Sequence, residues 1–440
     1  MKKSTIRRAI SAILSVTILM GMCACSDGTG TGKKVFLSDS TTDLMANVEP
    51  SAKALAFKKD AERQQVFEQE YRDFALMLFK NCAAADSKKN TLVSPLSVMT
   101  ALAMTANGAQ GDTLRQMHQA LSGVTYSLDS VTPMDVGELN QYLGAYQNNL
   151  PSSDKAKFAS ANSIWLKENS PDFKKEFLQT NADYYGADVF ESKFDEKTLA
   201  DINNWVKENT DGMIPKVLDQ IPAAAVMYLI NALSFDAEWK EIYREDQIYD
   251  REFTNLDGKT EQVSMMNSSE SVYLNDGKAQ GFVKPYAAGY SFVAMLPDEG
   301  ISLADYVAAM DYGRIVSQIR AEEHEPVLVT LPKFSAEYET ELSKILSENG
   351  MTDAFDPVKA DFSKMADVPP GTLYISRVIH KTAIEVNERG TKAGAVTAVE
   401  MTKNAAMMMK SVFLDRPFVY MIIDNESCLP IFIGQVTHIG

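Results

Sequence analysis

The 440-residue chain has only four cysteines and four histidines. Cys23 and Cys25 lie at the end of an N-terminal targeting segment, which leaves Cys82 and Cys428 for the remainder. No CxxC spacing occurs, so neither a structural zinc module nor a dithiol redox centre is expected. Two lone cysteines so far apart read as free, partly buried thiols. His118, His324, His380 and His438 are scattered, and His324-Glu325 has no second histidine four residues on, so the zincin pattern is absent. A G-x-S-x-G elbow, a Walker loop and a Rossmann glycine pattern are all missing. The expectation is a protein that is not an enzyme and needs no metal or cofactor; a triad assembled from distant positions is the only catalytic form left open. Basic runs are missing too. The net charge is −16 and no extended Lys/Arg stretch follows the extreme N-terminus. That argues against a nucleic-acid partner, which would require a stripe of cations to neutralise phosphates. No basic helix face suggests a glycosaminoglycan cofactor.

What is present begins with that targeting segment. Lys2, Lys3, Arg7 and Arg8 precede an apolar stretch from Ala9 to about Met22, too short to read as a spanning helix. It ends in Met22-Cys23-Ala24-Cys25, which looks like a bacterial lipobox. Cys25 fits the acylated position better than Cys23, because a small residue, Ala24, precedes it. The alternative is an ordinary cleaved signal peptide with incidental cysteines. Residues 26–34, SDGTGTGKK, are rich in turn formers, and the patterning stays weak to about Glu62. The expected division is a lipoprotein signal peptide over 1–25, a flexible tether over 26–62 and a folded body over 63–440. The protein would then be exported and held by its lipid at the extracytoplasmic or extracellular side of the cell envelope.

In the body, Phe67, Tyr71, Phe74, Leu78 and Cys82 recur at helical spacing. Ser94-Pro95 then opens a second helix that runs to Gly108, with serine as cap and proline in the first turn. Residues 113–121 and 199–210 are further helix candidates. After Ala225 the texture turns to strands. Val226–Phe235 is a near-continuous apolar run, suited to a strand covered on both faces. Asp257-Gly258 signals a hairpin, and Tyr290–Leu296, Val327–Leu331, Phe418–Ile423 and Leu429–Val436 read as strands. Helices early and strands late, without regular alternation, indicate an α+β fold.

One segment stands out. Between Gly390 and Ala398 nearly every side chain is small. Read as a strand, Thr391, Ala393, Ala395 and Thr397 share one face, while Lys392, Gly394 and Val396 share the other. By itself this is a Gly/Ala-rich surface loop. The segment from Glu388 to about Ala405, however, resembles the reactive-loop hinge of serpins, and Asp415-Arg416-Pro417-Phe418 resembles that family's closing motif. Similar stretches are NTLVSPLSVMTALAMTANGAQGDTLRQM at 90–117, INNWVKENTDGMIPKVL at 202–218 and LINALSFDAEWK at 229–240. LPKFSAEYETELSKILSENGMTDAF at 331–355 and ADFSKM at 360–365 continue the resemblance, which spans roughly residues 65–440.

The resemblance implies one domain of several helices and three β-sheets with an exposed reactive loop. It implies a monomeric suicide-substrate inhibitor of serine (or cysteine) endopeptidases. The cut loop would insert into the central sheet and trap the acyl-enzyme. Glu388 and Gly390 match the start of the hinge, and Thr391, Ala393, Ala395 and Thr397 its inward set. Lys392, Gly394 and Val396 depart from the family pattern at outward positions. Ser94, Ser97, Asn231 and His380 match the polar cluster beneath the opening point of the central sheet. Trp239 matches the tryptophan near where the loop begins to insert, or is plain core. The reactive bond falls at Asn404–Ala405, with Lys403–Asn404 as the alternative; Met401 and Ala405-Ala406 would suit elastase- or subtilisin-like enzymes. The other function to weigh is a non-inhibitory serpin acting as a surface binding protein.

Overall fold

In the computed structural model, residues 35–51, 57–122, 132–168, 172–391 and 409–439 are described, apart from the side chains of 159–161, 232 and 234. Among them the helices are α1 Ala61–Ala85, α2 Pro95–Ala106, α3 Gly111–Leu121, α4 Val136–Asn148, α5 Lys175–Tyr185, α6 Glu196–Asn209, α7 Leu303–Ala309, α8 Tyr312–Ile319 and α9 Ser343–Glu348. The strands are β1 Thr41–Asp43, β2 Thr91–Val93, β3 Ala156–Lys167, β4 Asp188–Ser192, β5 Met227–Glu238, β6 Ile248–Thr254, β7 Thr260–Glu270, β8 Val272–Asn275 and β9 Ala279–Pro285. They continue with β10 Tyr290–Pro297, β11 Val327–Pro332, β12 Phe334–Glu341, β13 Arg377–Asn387, β14 Gly390–Thr391, β15 Lys410–Phe413, β16 Phe418–Asp424 and β17 Pro430–Val436.

Local chemistry explains where the helices start. The Asp60 carboxylate accepts from Glu62 N and Arg63 N, so α1 begins there, and it buries Phe67, Tyr71, Phe74, Leu78 and Cys82. Ser94 Oγ accepts from Ser97 N and Pro95 occupies the first helical position of α2. Every residue of α2 is buried, because the helix is covered on all sides. α3 and α6 start a few residues before their expected boundaries; for α6 the reason is Asp195, whose side chain caps Thr198 N. The apolar run in β5 serves two cores. Met227, Leu229, Leu233 and Phe235 join the main cluster. Tyr228 and Ile230 join a second one with Trp165, Phe190, Ile202 and Trp205, between α6 and the sheet.

Three sheets result. The central one has strand order β1-β4-β3-β5-β14-β13-β12, the second β2-β17-β16-β10-β9-β8, and the third β15-β11-β7-β6. In the central sheet β3 runs antiparallel to β5, and β12 antiparallel to β13. β5 and β13 are parallel neighbours over five residue pairs, Tyr228–Ala232 against Arg377–Lys381. β17 pairs with both β16 and β2, joining the C-terminal hairpin to the start of α2. The Asp257-Gly258 turn joins β6 to β7 as expected, with Gly258 in the left-handed region at φ 82°. Cys82 and Cys428 are both free and buried. Among the described residues, no helix is long and apolar enough to cross a membrane.

The structure departs from the sequence reading over residues 35–51, which were expected to form part of a flexible tether. β1 adds to the central sheet as an antiparallel edge strand beside β4. Asp201 on α6 accepts hydrogen bonds from Ser38 N (2.9 Å), Ser38 Oγ (2.6 Å) and Thr41 Oγ1 (2.7 Å). Ser40 Oγ donates to Asp195, and Ser51 to Asp183 through both its N–H and its hydroxyl. Val35 and Leu37 pack on the second core. Hydroxyls that look like loop composition in the sequence are donors here to carboxylates that are buried (Asp201), half-buried (Asp183) or exposed (Asp195). Residues 1–34, with Cys25, and 52–56 lie outside the described residues.

Replacing Asp201 by Ala strands three donors at once. The expected cost is about 1–3 kcal/mol in urea unfolding, as for loss of a buried acceptor. New proteolytic cuts between residues 35 and 51 should appear, mapped by mass spectrometry; an unchanged cleavage pattern would show that this acceptor does not fix the segment.

Candidate functional site

The centre of the central sheet holds an irregularity. Where β5 and β13 are direct neighbours, a row of polar side chains crosses the sheet. Asn162 on β3 lies opposite Asn231 on β5, which in turn lies opposite His380 on β13. Ser97 Oγ and Asn231 Nδ2 donate to Asn162 Oδ1 at 3.1 and 3.2 Å. Ser94 N donates to His380 Nε2 at 3.1 Å. All five side chains are buried, so the cluster ties the N-terminus of α2 to three adjacent strands. Burial in this apolar setting pushes the His380 pKa down to about 3, so its imidazole is neutral at physiological pH. With Nε2 accepting, the proton sits on Nδ1, which has no hydrogen-bond partner among the described residues; nor has Asn231 Oδ1 on the paired position.

Beyond Ala232 and Lys381 the two strands part, and β14 enters between them. Gly390 and Thr391 pair with Asn387 and Val386 of β13 on one side and with Glu238 and Ala237 of β5 on the other. Gly390 has φ 151°, and a Cβ there would lie 2.0 Å from Ala237 O, so only glycine fits this entry point. Residues 387–391 are gripped from several directions. Trp239 N donates to Arg389 O and its indole Nε1 to Asn387 O; Tyr243 N donates to Glu388 O. Lys333 forms a 2.7 Å ion pair with Glu388 and, through that hydrogen bond, holds its carboxyl below the usual range. Thr391 is fully buried, and its hydroxyl lies 2.7 Å from the hydroxyl of Tyr286.

Below this grip sits a buried ion pair. Lys284 Nζ is 2.9 Å from Glu270, 4.3 Å from the Tyr243 ring centre and 5.3 Å from that of Trp239. Burial opposes the lysine charge, but Tyr243 and Glu270 outweigh it and hold the pKa above its ordinary value. Trp239 stacks on Tyr286 with centroids 4.4 Å apart and planes 12° apart. Two hinge residues thus enter a gap between two parallel strands, and farther down a polar cluster links those strands by way of β3 and the N-terminus of α2.

A family model described as serpin (serine protease inhibitor) matches residues 69–439. The chain belongs to the serpin family. Serpin B6 of Macaca fascicularis is 32% identical over 377 residues, covering 82% of this chain and 96% of the relative. Serpin B8 of Homo sapiens is 33% identical over 386 residues, with coverage of 82% and 96%. The native state of the thermophilic serpin tengpin is 45% identical, with a TM-score of 0.82 and coverage of 91% of this chain and 100% of that one. The α+β fold with three sheets is the serpin fold, and protease inhibition is the activity these relatives support in general.

Within this serpin, the structure brings Ser94, Ser97, Asn231 and His380 together and bonds Trp239 to Asn387 and Arg389, the neighbours of the hinge residues Glu388 and Gly390, with Thr391 next in the chain. Trp239 is both core and contact. The rest of the loop, with Lys392, Ala393, Ala395, Thr397, Lys403, Asn404 and Ala405, lies outside the described residues. Sequence reasoning missed Asn162, the hub of the polar cluster. Its signal was a lone amide in period two with Ile164 and Leu166. It also missed Lys333, Tyr286 and the Lys284–Glu270 pair. Lys284, a lone cation between Val283 and Pro285, was the visible anomaly.

His380 predicts acid sensitivity. The unfolded chain takes up a proton near pH 6.5, whereas the folded protein resists protonation down to about 3. The stability is therefore full above pH ~6.5 and falls below it by up to about 1.4 kcal/mol per pH unit. Urea midpoints between pH 7.5 and 4.5 should show this slope in the wild type and a shallower one in His380→Gln; equal slopes would assign the acid sensitivity to other groups.

Proposed function

We propose that this serpin inhibits serine (or cysteine) endopeptidases as a suicide substrate, and does not itself catalyse turnover. The observation that carries this reading is β14, which hydrogen-bonds to β5 and β13 at once, so that the first two residues of the loop occupy the position a new strand would take. The protease nucleophile attacks the carbonyl carbon of Asn404, or of Lys403 in the alternative. An ester (or thioester) to that residue forms as the amide bond breaks, and the new amino group, on Ala405 or Asn404, leaves with a proton from the protease's general acid. The severed loop then extends β14 down the gap. Thirteen or fourteen residues at ~3.3 Å each carry the attached protease about 43–46 Å. Ala393, Ala395 and Thr397 would follow Thr391 into the core face, where small side chains let the strand enter before water cleaves the acyl bond. The Tyr228–Ala232 ladder has to part, and with it the link that Ser97 and Ser94 make between β3 and β13.

Incubation with a panel of serine and cysteine proteases should give SDS-stable complexes with at least one. The released C-terminal fragment should begin at Ala405, or at Asn404 in the alternative, as read by its mass. Ala395→Arg should convert the protein into a cleaved substrate without complex. Cleavage of the wild type with neither complex nor a rise in melting temperature would assign the non-inhibitory role instead.

On the same reading the protein acts as a monomer outside the cytoplasm, anchored through a lipid on Cys25. Labelled palmitate should enter the wild type and not Cys25→Ala; incorporation into both would refute acylation at this cysteine.

A further inference from the structure

The hydroxyl of Tyr286 has a task the loop's small-residue pattern does not explain. Its ring is fixed on two sides, by the stack with Trp239 and by an edge contact with Phe235 at 5.3 Å and 77°. Its backbone is fixed as well, through a bridge to Trp239 and a hydrogen bond from its N–H to Tyr290 O. The hydroxyl therefore sits at one point beneath the entry to the gap, buried, and its phenol is held far above the ordinary pKa by that burial. Among the described residues its hydrogen-bond partner is Thr391 Oγ1 at 2.7 Å. Thr391 is equally buried and equally constrained, because β14 is paired on both edges.

We infer that Tyr286 is a positioning residue that selects a hydroxyl at position 391 and latches the hinge in the sheet before the loop is cut. Two buried hydroxyls satisfy each other; neither has a water-exposed alternative. Withdrawal of the hinge leaves the phenol buried and unpaired, and a side chain at 391 without a hydroxyl does the same. Being small is thus not sufficient at this first inward position, whereas Ala393 and Ala395 are free of any such demand in the sequence. The latch moves the starting point of insertion from residue 391 to residue 393. It also holds Gly390 against Ala237, where no Cβ fits. The inference rests on the inhibitory reading only for its consequence; the latch is a property of the uncleaved chain.

The test is a double-mutant cycle on the full, uncleaved protein. Tyr286→Phe keeps the stack and leaves Thr391 unpaired. Thr391→Val keeps the shape and leaves Tyr286 unpaired. Each should accelerate amide exchange in peptides spanning 387–391 by about tenfold, the size expected when one buried hydrogen-bonding partner is lost. The double variant, apolar on both sides, should return close to wild-type exchange, and Thr391→Ser should resemble the wild type. The same variants, titrated against a protease that forms a complex, should show a smaller trapped fraction for each single change and recovery in the double. Additive effects, or single variants that leave hinge exchange unaltered, would overturn the latch. If the wild type traps no protease while the exchange cycle is non-additive, the inhibitory reading fails and the latch stands.

Discussion

Five residue pairs hold β5 directly to β13, and the rest of the structure is arranged around how few they are. A central sheet with long strands on both sides would ordinarily zip its middle pair along the full length. Here the pair diverges after Ala232 and Lys381, and a two-residue strand props it open from the other end. The backbone groups between the ladder and the wedge are the sheet's unused pairing capacity, and a buried gap of this kind favours whatever strand can fill it.

The groups that oppose filling are polar and buried. The Asn162–Asn231–His380 row lies at the end of the ladder, where Asn231 bonds to Asn162 on β3 and His380 to Ser94 N, so the two halves of the sheet are linked there through the N-terminus of α2. Ser94 and Ser97 bind that row to α2, which passes through the main core and is buried at every position. On the other side the wedge is secured by Trp239, Tyr243, Lys333 and Tyr286, with Lys284 and Glu270 beneath. The sheet is thus held half-open by two sets of contacts that do not touch each other. One resists separation and the other favours it. On the proposed reading, cleavage releases the chain that the second set has already positioned.

Elements with strong period or strong caps were legible in the sequence. α1 and α2 were visible from spacing and from Ser94-Pro95, and the C-terminal strands from their unbroken apolar runs. β5 was legible as a strand covered on both faces because its odd and even residues enter different cores. The hinge was legible through its small residues and its resemblance to serpins. What stayed hidden depends on partners distant in sequence. Residues 35–51 contain isolated apolar side chains and many hydroxyls, and nothing local shows that Asp195 and Asp201 will accept from them. Asn162 reads as an ordinary polar residue until β5 is laid beside β3. The Lys284–Glu270 pair spans two strands whose register no single-sequence pattern specifies. β14 is two residues long, too short for any periodicity to mark.

The position of β15, β16 and β17 after the loop also bears on how the molecule is made. A chain grows from its N-terminus, and domains take shape in that order. β3, β5, β12 and β13 leave the ribosome before the loop does, so the strands that flank the gap are made before the residues that fit it have a distal anchor. That anchor is β15, through its parallel pairing with β11, and the hairpin of β16 and β17 that closes onto β2. Until these pair, the loop has no distal anchor, and on the proposed reading premature entry would fill the gap before any protease is met. On that reading the speed with which the C-terminal hairpin docks against Thr91–Val93 sets what fraction of newly synthesised molecules keeps the gap open.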